Sequence, residues 1–302
     1  MISKPITTWI AATRPQFFTV IIFPILLGSA IAWHLHNILL PLYFSLSLLA
    51  GILTHASINV LNDYFDHLNQ ADDLNQSPLT PFAGGSRFIQ QGVLSATETY
   101  YYGWLLLILA IMIGLFLVWA RGLPLLWINL VGILSGYYYS APPLSLNSRG
   151  LGELLVGLNF GVLTVLGAFY VQTQTWSIVT IIAALPLALL VTAILYINEF
   201  PDYVSDKMAG KKTLVVRLGA ASARWIYALL IGASFISIIV GVLYNQLPLL
   251  SLLTLLTVPL GLSAIKILYL YYDQPVSLIP AIRNTILLHT LISTVLILAF
   301  IV

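Results

Sequence analysis

The stretch between Arg14 and Asp63, residues 15–62, contains no Asp, Glu, Lys or Arg. A charged side chain at the centre of a spanning helix costs roughly 3 kcal/mol on insertion scales, so an uncharged interval of this length marks chain built for lipid. Residues 99–120, 122–148, 154–198, 225–265 and 284–302 are uncharged in the same way. At about 20 residues per spanning helix, the six intervals predict two, one, one, two, two and one spans, a total of nine. The double intervals break at His34-Leu35-His36-Asn37 and Pro41, near Gln172-Thr173-Gln174-Thr175, and at Asn245-Gln246-Leu247-Pro248. These runs are apolar on every face and lack the period-two alternation of a membrane barrel. The expected fold is all-α, a polytopic membrane protein with residues 1–302 as one domain in a single bundle.

Composition closes off the alternatives. Charged residues make up 7% of the 302 positions, against roughly 25% in a soluble domain, too few to coat a water-soluble enzyme of this size. With no cysteine, disulfides, thiolate metal sites and cysteine nucleophiles are excluded. A formal charge of +2, with the basic residues scattered rather than striped, argues against a nucleic-acid partner. Ala30-Ile31-Ala32 has the small-residue pattern of a signal-peptide cleavage site, but eight further spans make an uncleaved first helix the simpler expectation.

Threading nine spans alternately through a bilayer puts every basic residue on the N-terminal side except Arg121. By the positive-inside rule that side is cytoplasmic, which for a bacterium means the inner membrane with the charged face inward. All ten acidic residues fall on the same side. The rule does not ask acids to follow bases, so this second asymmetry needs a cause of its own.

The acids form two clusters. Asn59, Asn62, Asp63 and Asp66 close the second predicted helix at spacings of 3, 4 and 7, which share one helical face, with Asp72 and Asp73 just beyond. Asn198, Asp202 and Asp206 close the sixth, again expected on one face, beside Glu199. Four spans separate the two, so helices 1–4 and 5–8 are expected to be parallel repeats that bring the clusters face to face, with helix 9 added. One cluster reads equally well as a solvated helix end. Two, of matching composition at matching helix ends, call for a cation, and oxygen-only ligands without His or Cys suit a hard ion such as Mg²⁺ shared with a substrate phosphate. Two facing clusters would hold a diphosphate through bridging metal ions.

Basic groups nearby fit an anion site: Arg87 in Gly84-Gly85-Ser86-Arg87, Arg149 in Ser148-Arg149-Gly150, and Lys211-Lys212 after Gly210. The glycines are expected to let backbone amides approach phosphate oxygens. No Walker-type loop is present. Residues 67–99 form a long connection with an expected short helix near 95–99, suited to capping a reaction chamber. Aromatic residues on this side, Tyr139 among them, fit either an interfacial belt or the stabilisation of a carbocation.

These residues resemble those of the UbiA-type membrane prenyltransferases. That family carries an Asn-Asp-x-x-Asp motif after its second helix, here Asn62-Asp63-Tyr64-Phe65-Asp66, and an Asp-x-x-x-Asp motif after its sixth, here Asp202-Tyr203-Val204-Ser205-Asp206. A Gly-Lys-x-Thr-Leu tail follows, here Gly210-Lys211-Lys212-Thr213-Leu214. Gln70 stands where many members have an Asp. Asp72, Arg149-Gly150-Leu151-Gly152-Glu153 and the run Gly167 to Thr173 are similar instead to the branch acting on 1,4-dihydroxy-2-naphthoate in menaquinone synthesis. The resemblance implies a prenyltransferase that uses Mg²⁺, a polyprenyl diphosphate and an aromatic acceptor within the lipid bilayer. It implies Asn62, Asp63, Asp66, Asp72, Asp202 and Asp206 at the metal, with Asp66, Asp72, Asp202 and Tyr139 in catalysis. Arg87, Arg149 and Lys212 are then expected at the diphosphate, and Asn59 and Asn198 as orienting groups. The same chemistry on 4-hydroxybenzoate, homogentisate, a lipid or a tetrapyrrole stays open. So does a cation-coupled transporter, whose sites usually sit nearer the bilayer midplane.

Overall fold

In lipid every backbone group must find its partner within the chain, so uncharged runs become helices. The computed structural model describes residues 4–75, 78–80 and 82–302, and no strand occurs among them. A short α1 (Ile6–Ala12) precedes α2 (Thr19–His36), which stops at Asn37, held in the left-handed region at φ 55°. Pro41 opens α3 (Pro41–Leu68), where its missing N–H is no loss, and the four-residue α4 (Ala71–Leu74) follows. Next come α5 (Ala96–Arg121) and α6 (Pro124–Ser140). The short α7 (Gly152–Val156) runs through a π-helical turn at Gly157–Leu163 into α8 (Thr164–Thr173). Then follow α9 (Ile178–Asn198), α10 (Tyr203–Met208), α11 (Leu214–Leu218) and α12 (Ala220–Leu243). A 3-10 segment, Leu249–Thr257, leads into α13 (Val258–Tyr271), and α14 (Ile279–Ile301) ends the fold.

Among the described residues eight helical segments are long and apolar enough to cross a membrane. The interval 122–148 holds α6, which at 17 residues lies at the lower end of the spanning range. The breaks fall where the polar hinges predicted them, at Asn37, Gln174 and Asn245, each with positive φ. The short helix expected near 95–99 does not stand alone. Ser95 and Glu98 form a capping box that starts α5, and the short helix of this connection is α4. The sequence already carried this signal, since Ser-x-x-Glu before an apolar run is a helix start.

Helices α2, α8, α9, α12, α13 and α14 pack into one core around Leu27, Phe169, Leu187, Tyr196 and Tyr227. Between helices in lipid, close approach rather than hydrophobicity drives association, and α3 meets α5 in this way. A Cβ on Gly103 would lie 2.7 Å from Leu61 Cγ, and Ser57 Oγ donates to the Gly103 carbonyl at 2.8 Å. On the outward side of α5 and α6, Met112, Trp119 and Trp127 are exposed, as lipid-facing residues are. At the far end from the acids, Arg121 donates to the carbonyls of Val171 (2.7 Å) and Gln172 (3.0 Å) and lies over the Tyr43 ring. Between α3, α5, α6 and the α7–α8 segment the bundle is not filled, and the space between them holds the candidate site.

Candidate active site

A cavity of about 580 Å³ runs down this space. Along α3 its wall passes from Asp66 through Asn62, Asn59, His55, Thr54 and Gly51 to Ser47, one helical stripe about 29 Å long at 1.5 Å per residue. The acidic end is the mouth. The floor lies near Leu117, Leu125 and Val171, all buried against one another above the Arg121 clasp.

At the mouth the two acidic clusters meet. Lys211 Nζ lies 3.2 Å from both carboxylate oxygens of Asp66 and 3.4 Å from Asp206 Oδ1. Asp202 accepts from Asn75 Nδ2 at 2.9 Å and from the Gly84 amide at 3.1 Å. Asn62 donates to Asp66 at 3.1 Å and to Ser140 Oγ at 2.8 Å. Asn59, Asn62, Asp66, Asp72, Tyr139, Asn198, Asp202 and Asp206 therefore all line the cavity, as do Arg14, Glu199 and Lys211.

The geometry differs from a simple helical face in four respects. First, Asp63 sits outside the cavity wall, ion-paired with Arg14 and accepting from the Ser86 amide at 3.3 Å. Second, Asn198, Asp202 and Asp206 are not on one helix: α9 stops at Asn198, and Pro201 and Asp202 lie in the turn before α10. Pro201 cannot donate a helical hydrogen bond, and the turn rather than a continuous helix brings the three side chains to one wall. Third, the Gly84 and Ser86 amides donate to Asp202 and Asp63, not into open space, because buried carboxylates need donors. Gly85, at φ +76°, is required for contact: a Cβ there would lie 2.5 Å from Asp72 Oδ2. Fourth, Arg87 donates to the Asp72 carbonyl, Arg149 is exposed and donates to Pro143 O at 2.9 Å, and Lys212 is exposed. These three lie outside the cavity lining, and the cations that face it are Lys211 and Arg14.

The electrostatics describe a site with too much buried negative charge. Burial, then Asp66, pushes the Asp72 carboxyl up to about 7, against the pull of Arg14, Lys211 and Arg87. Burial and Asp206 push Asp202 up to about 7 as well, and burial raises Asp206. Burial works against the Lys211 ammonium, but Asp206 and Asp66 outweigh it and hold Lys211 well above the usual lysine range. Burial and hydrogen-bonded Glu153 raise Glu199 far above the carboxylate range. Glu153 itself accepts from the Leu214 amide at 2.8 Å and so fixes the chain just after Lys211. A divalent cation would relieve the surplus charge, and the donors are all oxygen, which suits Mg²⁺. Among the described residues no three such side chains already close around one point.

A model of the UbiA prenyltransferase family matches residues 21–279. The chain belongs to that family. It is an integral-membrane prenyltransferase, and its many spans make it a multi-pass protein. The 1,4-dihydroxy-2-naphthoate octaprenyltransferase of Escherichia coli is 30% identical over 284 residues, 92% of this chain and 90% of that protein. The 2-carboxy-1,4-naphthoquinone phytyltransferase of Synechocystis is 29% identical over 269 residues, 88% of this chain and 84% of that protein. A solved UbiA homologue from Archaeoglobus fulgidus, bound to DMAPP and Mg²⁺, shares the fold with a TM-score of 0.68 at 19% identity, over 97% of this chain and 98% of that one.

Within this UbiA fold, the sequence grouped Lys211 with Lys212 and Glu199 with the second cluster without choosing either for the site, and it did not single out Arg14 or His55 as cavity groups. His55 is buried on the stripe of α3, its ring between Phe18 and Phe160, and its Nδ1 has no hydrogen-bond partner among the described residues. Its one available signal was register, since His55 precedes Asn59 by four and Asn62 by seven.

The raised carboxyls make one effect measurable. Between the ordinary Asp value of 3.8 and about 7, the metal-free fold keeps protons on Asp72 and Asp202 that the unfolded chain has released. Raising the pH through that window therefore removes stability from the metal-free protein, and a bound cation must displace the same protons. Mg²⁺ should raise the melting temperature of the detergent-purified protein more at pH 8 than at pH 6. Melts with Mg²⁺ and with chelator at both pH values check this, and an equal shift at both would contradict it.

Proposed function

We propose that this prenyltransferase moves an isoprenyl group from a polyprenyl diphosphate to an aromatic acceptor, 1,4-dihydroxy-2-naphthoate, with Mg²⁺ at the acidic mouth of the cavity. The observation that carries the reading is the junction of the two Asp clusters, through Lys211, at the head of a deep apolar channel. A polar head group and a long apolar tail on one substrate match those two halves. The named activities of the E. coli and Synechocystis relatives support the naphthoate acceptor. The A. fulgidus homologue's ligands support Mg²⁺ and an isoprenyl diphosphate.

In this reading Asp66, Asp72, Asp202 and Asp206 hold the metal, with Asn62 orienting Asp66. Bound Mg²⁺ would neutralise the diphosphate and so favour its departure. Lys211 adds fixed positive charge where negative charge grows on the leaving group. The C1–oxygen bond of the donor breaks, and the diphosphate takes the electron pair. The electron-rich ring of the acceptor attacks the allylic cation, and loss of carbon dioxide from a naphthoate restores aromaticity. Tyr139, in the wall below the acids, offers a π face to that cation. Asn59 donates to Thr13 O at 2.9 Å, which ties the first cluster to the N-terminal segment, and Asn198 holds the equivalent place at the end of α9. The matching places of the two clusters support descent from parallel four-helix repeats. The side of Arg14, Lys211 and the acids faces the cytoplasm in this reading, which the excess of basic residues there supports.

Purified protein incubated with a polyprenyl diphosphate and dihydroxynaphthoate should release diphosphate and form a prenylated, decarboxylated naphthoquinol with Mg²⁺, and form none with chelator. Product mass spectrometry decides it. Transfer to 4-hydroxybenzoate, homogentisate, a lipid or a tetrapyrrole in place of the naphthoate would overturn the acceptor assignment. Ion flux in proteoliposomes without any prenyl product would overturn the enzymatic reading.

A further inference from the structure

The glycines in the cavity wall are there for different reasons. Gly84 and Gly85 have positive φ. Gly51, Gly114 and Gly136 permit close packing: a Cβ would lie 2.7 Å from Ile25 Cδ1, 3.1 Å from Asn129 Nδ2 and 2.5 Å from Ile58 Cδ1 respectively. Gly132 and Gly167 fit neither case. A Cβ on Gly132 meets nothing within 4 Å, and one on Gly167 only the Ile128 side chain at 3.6 Å, an ordinary contact. Glycine in a helix interior is less stable than alanine, and both positions lie within helices, α6 and α8. At these two places the absent side chain is replaced by open cavity.

They lie on neighbouring helices of the wall. On α6 the cavity stripe runs Leu125, Ile128, Gly132, Gly136, Tyr139, and on the facing helix Phe160, Thr164, Gly167, Val171. Since the nearest neighbour of a Gly167 Cβ is Ile128, one turn from Gly132, the two glycines widen the channel at levels about one helical turn apart. Gly132 lies about 10 Å below Tyr139 along α6, and both glycines are in the apolar part of the cavity. Beyond it the cavity continues to the floor at Leu117, Leu125 and Val171, and to an opening where Leu115 and Leu130 belong both to the wall and to the lipid-facing surface. A prenyl tail anchored by its diphosphate at the mouth must pass along Gly132 and Gly167 to reach either.

We infer that Gly132 and Gly167 set the bore of the tail channel and thereby the length of polyprenyl diphosphate that the enzyme accepts. The inference rests on the donor assignment above. A branched side chain at either position closes the passage to the distal isoprene units and leaves the mouth, and the room for a one- or two-unit donor, unchanged.

The experiment compares wild type, Gly132→Leu and Gly167→Val with a control, Gly232→Leu. Gly232 lies on α12 outside the cavity lining, and a Cβ there also meets nothing within 4 Å. Each purified protein is given dimethylallyl, geranyl, geranylgeranyl and octaprenyl diphosphates with the naphthoate acceptor. The expected result is that kcat/KM for the octaprenyl donor, relative to dimethylallyl, falls by at least about tenfold in both channel variants and not in the control. Should one channel variant fail to fold, the other, on a different helix, and the milder Gly132→Ala read the same ratio. Folded variants with the wild-type ratio would overturn the inference, as would equal loss for short and long donors. If wild type turns over no prenyl diphosphate of any length, the donor assignment itself fails, and that outcome is distinguishable from a failure confined to the two glycines.

Discussion

Asp66→Ala is expected to lower the rate of prenyl transfer by at least about a thousandfold while leaving the bundle folded and inserted in the membrane. Asp66 is the carboxylate on which the mouth converges: Asn62, Asn69 and Lys211 all donate to it. It is buried on the cavity wall, at the last turn of α3, and none of the packed apolar clusters that hold the bundle together contains it. Removing it takes away one of the proposed metal ligands and frees Lys211 from one of its two carboxylate partners, without opening a gap in the core. Asp202→Ala should behave alike from the second cluster. Transfer rates by mass spectrometry, alongside gel filtration and thermal melts, test both variants, and a fully active Asp66→Ala protein would sink the assignment of the acids.

Lys211→Met carries the second large effect, a loss of about two to three orders of magnitude in kcat. Lys211 is 9% exposed, and its ammonium bridges Asp66 and Asp206 across a sequence separation of 145 residues from the former. Breaking a buried ion pair by removing one partner typically costs about 3–5 kcal/mol, because the other charge stays buried and uncompensated. The melting temperature without Mg²⁺ should therefore fall more for Lys211→Met than for Lys212→Met, and Mg²⁺ should recover part of the difference. Lys212 is exposed, and its amide donates to Ser148 O at 3.0 Å, so Lys212→Met should keep transfer within about threefold of wild type. The pair of adjacent variants decides which lysine serves the site; equal effects would refute the choice of Lys211.

The contrast between these two lysines shows where sequence reasoning stops. Helices, hinges and the two acidic clusters were legible because each follows from local chemistry: uncharged runs must be helical in lipid, Asn37 and Asn245 tolerate the left-handed turn, and Asn59, Asn62 and Asp66 share a register. Neighbouring residues after Gly210, itself at φ +76°, point to opposite sides of an irregular segment, and no periodicity tells which lysine turns inward. The partner that draws Lys211 inward, Asp66, is far away in sequence. Asp63 shows the same limit on a smaller scale. It lies about 60° round α3 from Asp66, within any plausible helical face, yet toward the edge where Arg14 waits. Arg87, Arg149 and Lys212 are ordinary choices by charge and glycine context, and only tertiary placement separates them from Lys211 and Arg14.

The π-helical turn between α7 and α8 has a consequence for how this chain can vary. Such a turn holds one residue more than the α-helix would need for the same rise. Upstream of it, Glu153 must reach the Leu214 amide; downstream, Gly167 and Val171 must face the cavity. Deleting a single residue within Gly157–Leu163 would close the bulge into regular α-helix and leave the two halves near their present orientation, whereas deleting one in the regular helix on either side would turn one half about 100° relative to the other, so that the two obligations could no longer be met together. The π-turn is thus the place where this span can give up a residue, and outside it the length is held. Between the two obligations the bulge is slack in the helix, a residue in reserve where the rest of the span has none.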